Sequence, residues 1–190
     1  MTTALSPAAT GFAPALRRLY FVRFGFAIVW AAVLVLTGGG LGAVGVALVV
    51  LYPAFDVAGA IVDMRASRSS SAPVGMYLNI ATSLLAAVGL GIAAASDIPS
   101  VLRVWGVWAI VAGLIQLAVA ITRRALGGQW PMILSGAISV LAGAGFVLMS
   151  GGATPSLVGI AGYATLGGLF FLLSALRLNR GAPTTTPAEH

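Results

Sequence analysis

Cysteine and lysine are both absent from this chain of 190 residues, and its single histidine, His190, is the last residue. Without a thiol there is no disulfide, thiolate nucleophile, iron–sulfur ligand or cysteine zinc site. Without lysine there is no phosphate-loop lysine, Schiff base or serine–lysine pair. The histidine sits in the polar stretch 182–190 and reads as a solvated tail residue rather than a base or ligand. Acid is nearly as scarce: Asp56, Asp63, Asp97 and Glu189 offer no carboxylate pair at catalytic spacing and no metal cluster. The composition predicts a non-enzymatic protein without metal or cofactor.

What the chain has in quantity is apolar surface. Hydrophobic residues make up 59% and charged residues 7%, against roughly 25% charged in an ordinary soluble domain. Mean hydropathy is +1.05, so lipid must be the solvent. The net charge of +6 comes from ten arginines. In a soluble protein that excess points to nucleic acid, but here the arginines flank hydrophobic runs. Anionic lipid headgroups are the expected partner, and nucleic acid is not.

A membrane-spanning helix needs about 20 mostly apolar residues to cross a hydrocarbon core about 30 Å thick. Six segments qualify, at 20–36, 41–62, 74–95, 100–121, 130–149 and 155–176. The expected fold is all-α, a polytopic bundle of six transmembrane helices arranged as three hairpins in one domain over residues 1–180. Residues 1–15 and 181–190, rich in Thr, Pro and Ala, read as loose tails. Arg17, Arg18 and Arg23 open the first span, Arg65 and Arg68 follow the second, Arg123 and Arg124 the fourth, and Arg177 and Arg180 close the sixth. Only Arg103 lies toward the other side, near Asp97. The positive-inside rule then puts both termini in the cytoplasm. Tyr20, Tyr77 and Trp130 near one set of helix ends and Trp105 near the other suit aromatic belts. Arg17-Arg18-Leu19-Tyr20-Phe21 faintly echoes a twin-arginine signal, yet five further spans make it the anchor of an uncleaved first helix.

A shift of 54 residues superposes the third and fourth spans on the fifth and sixth, matching Gly89 to Gly143, Gly91 to Gly145, Ser96 to Ser150, Gly113 to Gly167 and Arg123 to Arg177. Gly59 falls in the register of Gly113 and Gly167. These parallel hairpin repeats differ from the inverted repeats of many transporters. Small residues four apart, Ala87/Gly91, Ala109/Gly113, Ser139/Gly143 and Ala164/Gly168, predict close helix crossings within the bundle or between subunits of a homo-oligomer. Gly40-Leu41-Gly42-Ala43-Val44-Gly45 spells a dinucleotide fingerprint with Asp63 about twenty residues on. That motif needs a preceding strand, and both flanking segments are long enough to span a membrane, so a glycine-rich turn is the better reading.

Asp56 is the most informative polar residue. It lies about seven residues, or roughly 10 Å along a helix axis, inside the end of the second span, where a lone carboxylate is costly. Pro53 one turn earlier frees the carbonyl of Val49 and loosens the helix there. Arg23, at similar depth in the first span, is the expected partner, either as a bridge pinning the first hairpin or as part of a proton- or ligand-responsive site. Asp63, next to Arg65, reads as an interfacial charge. Asn79 and Gln116 are intramembrane amides suited to interhelical bonding, and Gln116 joins Arg23 and Asp56 as a candidate for a polar pocket.

The stretch from Val104-Trp105-Gly106-Val107-Trp108 through Gln116 and Arg123-Arg124, then Trp130-Pro131-Met132 and Ala153-Thr154-Pro155, resembles the HdeD family of bacterial short-repeat membrane proteins. The resemblance covers roughly residues 77–180. It implies six helices, a bacterial inner-membrane location and an association with acid or envelope stress tolerance. It supplies no catalytic residues, and Tyr52-Pro53-Ala54-Phe55-Asp56 departs from the family's first hairpin. The competing expectation is a proton-linked or small-solute permeation protein built around Asp56.

Overall fold

The computed structural model describes residues 7–66, 74–122 and 130–180. Arg68, Arg123, Arg124, residues 1–6 and the tail 181–190 with His190 lie outside the described residues. Six helices follow one another: α1 Pro7–Leu36, α2 Ala43–Ala66, α3 Val74–Ala94, α4 Ile98–Thr122, α5 Trp130–Met149 and α6 Val158–Arg180. Each contains a stretch of 20 to 25 residues apolar enough to cross a membrane, and no strand occurs among the described residues. The chain is a multi-pass membrane protein. Side chains such as Val29, Leu85, Ile92, Leu141 and Leu148 are exposed on the outside of the bundle, as a lipid solvent demands.

Two ends differ from expectation. α1 begins at Pro7 and carries the chain as helix through residues 7–15, where a loose tail is expected; Ala8, Ala9, Ala13, Ala15 and Leu16 are strong helix formers. α6 begins at Val158 rather than at 155. Ser156 Oγ accepts the Val158 N–H at 3.2 Å and starts the helix, while Leu157 turns fully into the core.

The turns are explicit in the backbone. α1 ends in a Schellman motif: Gly39 N–H bonds Leu34 C=O and Gly38 N–H bonds Val35 C=O, each at 3.0 Å, with Gly38 at φ 74° and Gly39 at φ 62°. The glycine string that follows links two helices, and a Cβ on Gly45 would strike the carbonyl of Gly40. Between α3 and α4, Asp97 caps α4 through Ser100 N–H at 2.7 Å. That carboxyl is held below the usual aspartate value by the Ser100 bonds first and by the Arg103 charge after them.

Packing runs in a closed cycle, α1 on α2, α2 on α3, and so on round to α6 on α1. The most extensive contacts are α4 with α5, α1 with α6 and α2 with α3, whereas α5 and α6 touch least of all neighbours. The α4–α5 seam rests on two reciprocal glycine pairs. A Cβ on Gly106 would lie 2.6 Å from Gly143 O and one on Gly143 2.5 Å from Gly106 O; Gly113 and Gly136 face each other likewise at 2.6 and 2.9 Å. Without Cβ atoms the backbones meet directly, which is how helices gain van der Waals contact in lipid. Ala109 and Ser139 are buried in the same seam. Gly168 serves α1, a Cβ there lying 3.0 Å from that of Ala27, and Ala164 one turn earlier is fully buried. Ala87 and Gly91 are looser: a Gly91 Cβ would stand 3.8 Å from Val50, and Gly91 is exposed.

The apolar core gathers in the half of the bundle away from Arg17, Arg65 and Arg177. Leu34, Val49, Leu90, Val101, Leu102, Leu157 and Ile160 are fully buried there around Trp30 and Trp105. Trp105 is therefore not a belt residue. It lies two turns inside α4 on the face turned to the bundle axis, while Trp130 and Tyr77 are exposed at helix ends.

Candidate functional site

At mid-bundle the core becomes aromatic and then polar. Tyr52 on α2 packs against Trp30, Trp105 and Trp108, with ring centroids 4.8, 5.5 and 6.2 Å away. The Trp30 indole N–H donates to Leu48 C=O at 2.7 Å. Pro53, fully buried, has no N–H to offer Val49 C=O, so α2 is locally under-bonded where its polar residue follows.

Asp56 lies one turn beyond Tyr52. Its Oδ1 accepts Arg23 Nη1 at 3.4 Å, and its backbone carbonyl accepts Arg23 Nη2 at the same distance. Its Oδ2 accepts two shorter bonds from α3, Asn79 Nδ2 at 2.9 Å and Ser83 Oγ at 2.9 Å. Ser83 in turn accepts the Trp108 indole N–H at 3.2 Å. The side chains of Arg23 and Asp56 are 12% and 23% exposed. The guanidinium has its place because Gly59, one turn along α2, lacks a side chain: a Cβ there would collide with it. It stacks on the Phe171 ring of α6 at 4.9 Å, and its Nε is buried with no partner among the described residues. A charge-assisted bond normally measures about 2.7–2.9 Å. Asp56 is thus gripped more closely by α3 than by Arg23.

Sequence reading pairs Asp56 with Arg23 and overlooks Ser83 and Trp108. The available signal is the i, i+4 spacing of Asn79 and Ser83, which puts both on one face of α3. Gln116 is not part of this group. It sits on the α4–α5 seam, its Cβ 3.3 Å from where a Gly136 Cβ would stand, and its Oε1 is buried without a partner among the described residues.

Asp56 and Asn79 line a cavity of about 260 Å³ that extends from Tyr52 toward Pro131 at the start of α5 and Ser174 near the end of α6. It occupies the half of the bundle that bears Arg17, Arg65 and Arg177, and α5 and α6 supply most of its wall. The Tyr163 hydroxyl donates to Ser139 Oγ across it at 3.0 Å. Gly167 keeps the α6 side open, a Cβ there being 3.9 Å from the Tyr52 hydroxyl. Among the described residues no group of three or more acidic, His or Cys side chains could hold a metal. What the arrangement offers is hydrogen bonding: one carboxylate, one amide, several hydroxyls and a set of aromatic faces.

Comparison with protein-family models, with curated proteins and with solved structures finds no match.

Proposed function

We propose that this membrane protein is non-enzymatic and passes a small polar solute, or a proton linked to one, through the cavity that reaches Asp56. The observation that carries this reading is the cavity itself. An intramembrane carboxylate whose role is only to pin helices gains nothing from standing in the wall of a 260 Å³ space, whereas a carboxylate that meets a solute requires one. The other half of the bundle is packed around Trp30, Trp105, Leu34, Leu102 and Ile160, which favours entry of the solute from the half that bears Arg17, Arg65 and Arg177. Passage requires the aromatic group Trp30, Tyr52, Trp105 and Trp108 to shift.

The test is reconstitution of the full chain in liposomes, with stopped-flow swelling for small solutes and an internal dye for protons. Flux above protein-free liposomes, reduced at least tenfold by Asp56→Asn, is the expected result. No flux of either kind overturns the reading.

A second reading is favoured by the bonds that already hold Asp56 to Arg23, Asn79 and Ser83. Here the polar group is a structural clamp, and the protein acts as a bacterial inner-membrane component of HdeD type in acid or envelope stress, through its bundle, self-association or partners. Loss of survival of a deletion strain at low pH, with no flux in liposomes, would select it.

A further inference from the structure

Among the described residues that line the cavity Asp56 is the only acidic or basic side chain, and it is already paired with Arg23. Arg23 does not line the cavity; it stands behind the carboxylate, wedged over Gly59 and against Phe171. Seen from the cavity, the charge is therefore balanced. The remaining wall polarity is amphoteric: the hydroxyls of Tyr52 and Ser135 have no hydrogen-bond partner among the described residues, and Ser139 Oγ accepts from Tyr163 and keeps its own proton to donate. An ion entering this space finds no opposite net charge to replace its hydration, which is the costly case for burial. A neutral molecule carrying both donors and acceptors finds partners for each. The volume, at the low end for ligand sites, restricts it to a few heavy atoms.

We propose that the cavity selects small uncharged hydrogen-bonding solutes, of the amide or polyol class, over ions of the same size, and that Arg23 is the specificity-determining residue that enforces this neutrality. The proposal rests on the permeation reading for its physiological sense, but the selection is a property of the cavity and can be measured without flux. Trp108 lines the cavity and also an apolar recess between α3 and α4, so the cavity's share of its collisional quenching is the part lost when Gly167→Leu fills the cavity. The quenchable component is the part of the fluorescence lost in Trp108→Phe.

In the purified full chain, acrylamide, a neutral amide, is expected to quench that component at least tenfold more strongly than caesium ion. Arg23→Gln leaves Asp56 uncompensated and is expected to raise the caesium constant several-fold; Arg23→Gln combined with Asp56→Asn restores the balance and returns it to the wild-type value. In liposomes, urea is expected to pass and guanidinium, its cationic near-isostere, to be excluded, with the same reversal in Arg23→Gln. Equal quenching by acrylamide and caesium, or an Arg23→Gln protein whose caesium constant does not move, overturns the proposal. Where Arg23→Gln does not fold, Asp56→Asn, which leaves Arg23 as the unbalanced charge, takes its place: quenching by iodide is expected to rise several-fold, and an unchanged iodide constant overturns the proposal. Absence of urea flux with the quenching contrast intact removes the permeation reading and leaves the selective cavity standing.

Discussion

Helix α5 meets α4 through bare backbone and meets α6 across a cavity, although both neighbours are apolar helices rich in small residues. The difference lies in what each glycine faces. Gly136 and Gly143 face Gly113 and Gly106, so the contact is symmetrical and the helices close to backbone distance. Gly167 of α6, in the repeat register of Gly113, is turned toward α2 and not α5: a Cβ there would meet only the Tyr52 hydroxyl, 3.9 Å away, and the space between is left unfilled. Where small residues of two adjacent helices face each other the backbones close; where a glycine looks across the bundle at the polar end of a tyrosine on a third helix it leaves room. Gly113 and Gly167, equivalent in the 54-residue sequence register, thus serve opposite ends, adhesion in one place and a gap in the other, and the closest packing runs between successive hairpins rather than within them.

Breaking the tight side has the largest expected effect. Gly143→Leu or Gly106→Leu drives a side chain into the opposing backbone, and overpacking of this kind costs roughly 1–3 kcal/mol or more. The expected outcome is loss of monodisperse folded protein in detergent, while Gly145→Ala and Gly162→Ala, whose added Cβ meets nothing within 4 Å, leave the melting temperature unchanged. Next comes the polar group beside the gap. Asp56→Ala strands the Arg23 guanidinium beside a cavity, so the loss falls short of the ~3 kcal/mol typical when a fully buried pair is broken. Arg23→Gln with Asp56→Asn recovers most of that loss in thermal melts, since no unbalanced charge remains. On the loose side, Gly167→Leu fills space without displacing backbone. Its melting temperature is expected to stay close to wild type while solute flux falls, and a stability loss equal to that of Gly143→Leu would erase the distinction between the two faces.

The smallest effect concerns the far turn. The Asp97 carboxyl titrates below its usual range because the ionised form caps α4 at Ser100 and, to a lesser degree, faces Arg103. A lowered folded value means that its contribution to stability is present above the unfolded value and is lost as pH falls through the folded one. The difference in stability between wild type and Asp97→Ala should therefore shrink below about pH 4, and a carbon-detected titration of Asp97 should show the depressed midpoint directly.

Six spans are legible in the sequence because hydropathy alone writes them, and counting turns from the arginines is enough to set Arg23 and Asp56 at one depth. Which faces meet is not written in the same way. In helices apolar all round there is no polar side to point outward, so periodicity carries little direction. Trp105 illustrates this: its position near a helix end suits a belt, and only the fold shows it turned inward against Trp30. Gln116 lies apart from Arg23 and Asp56 for the same reason, its side of α4 facing the glycine seam. Asn79 and Ser83 were within reach, since two polar residues four apart in an apolar helix share one face. The helical start at Pro7 was not, because Pro14 and the polar residues before it read as a break.

The glycine pairs of α4 and α5 stand seven residues apart on each helix, close to two full turns, so both pairs meet in a single register. Sliding either helix by one heptad would align one pair and set the other against side chains. The pair behaves as a detent, and α4 and α5 travel as a single plank. The slightest contact in the cycle, between α5 and α6, is then where that plank ends and the space beside Asp56 begins.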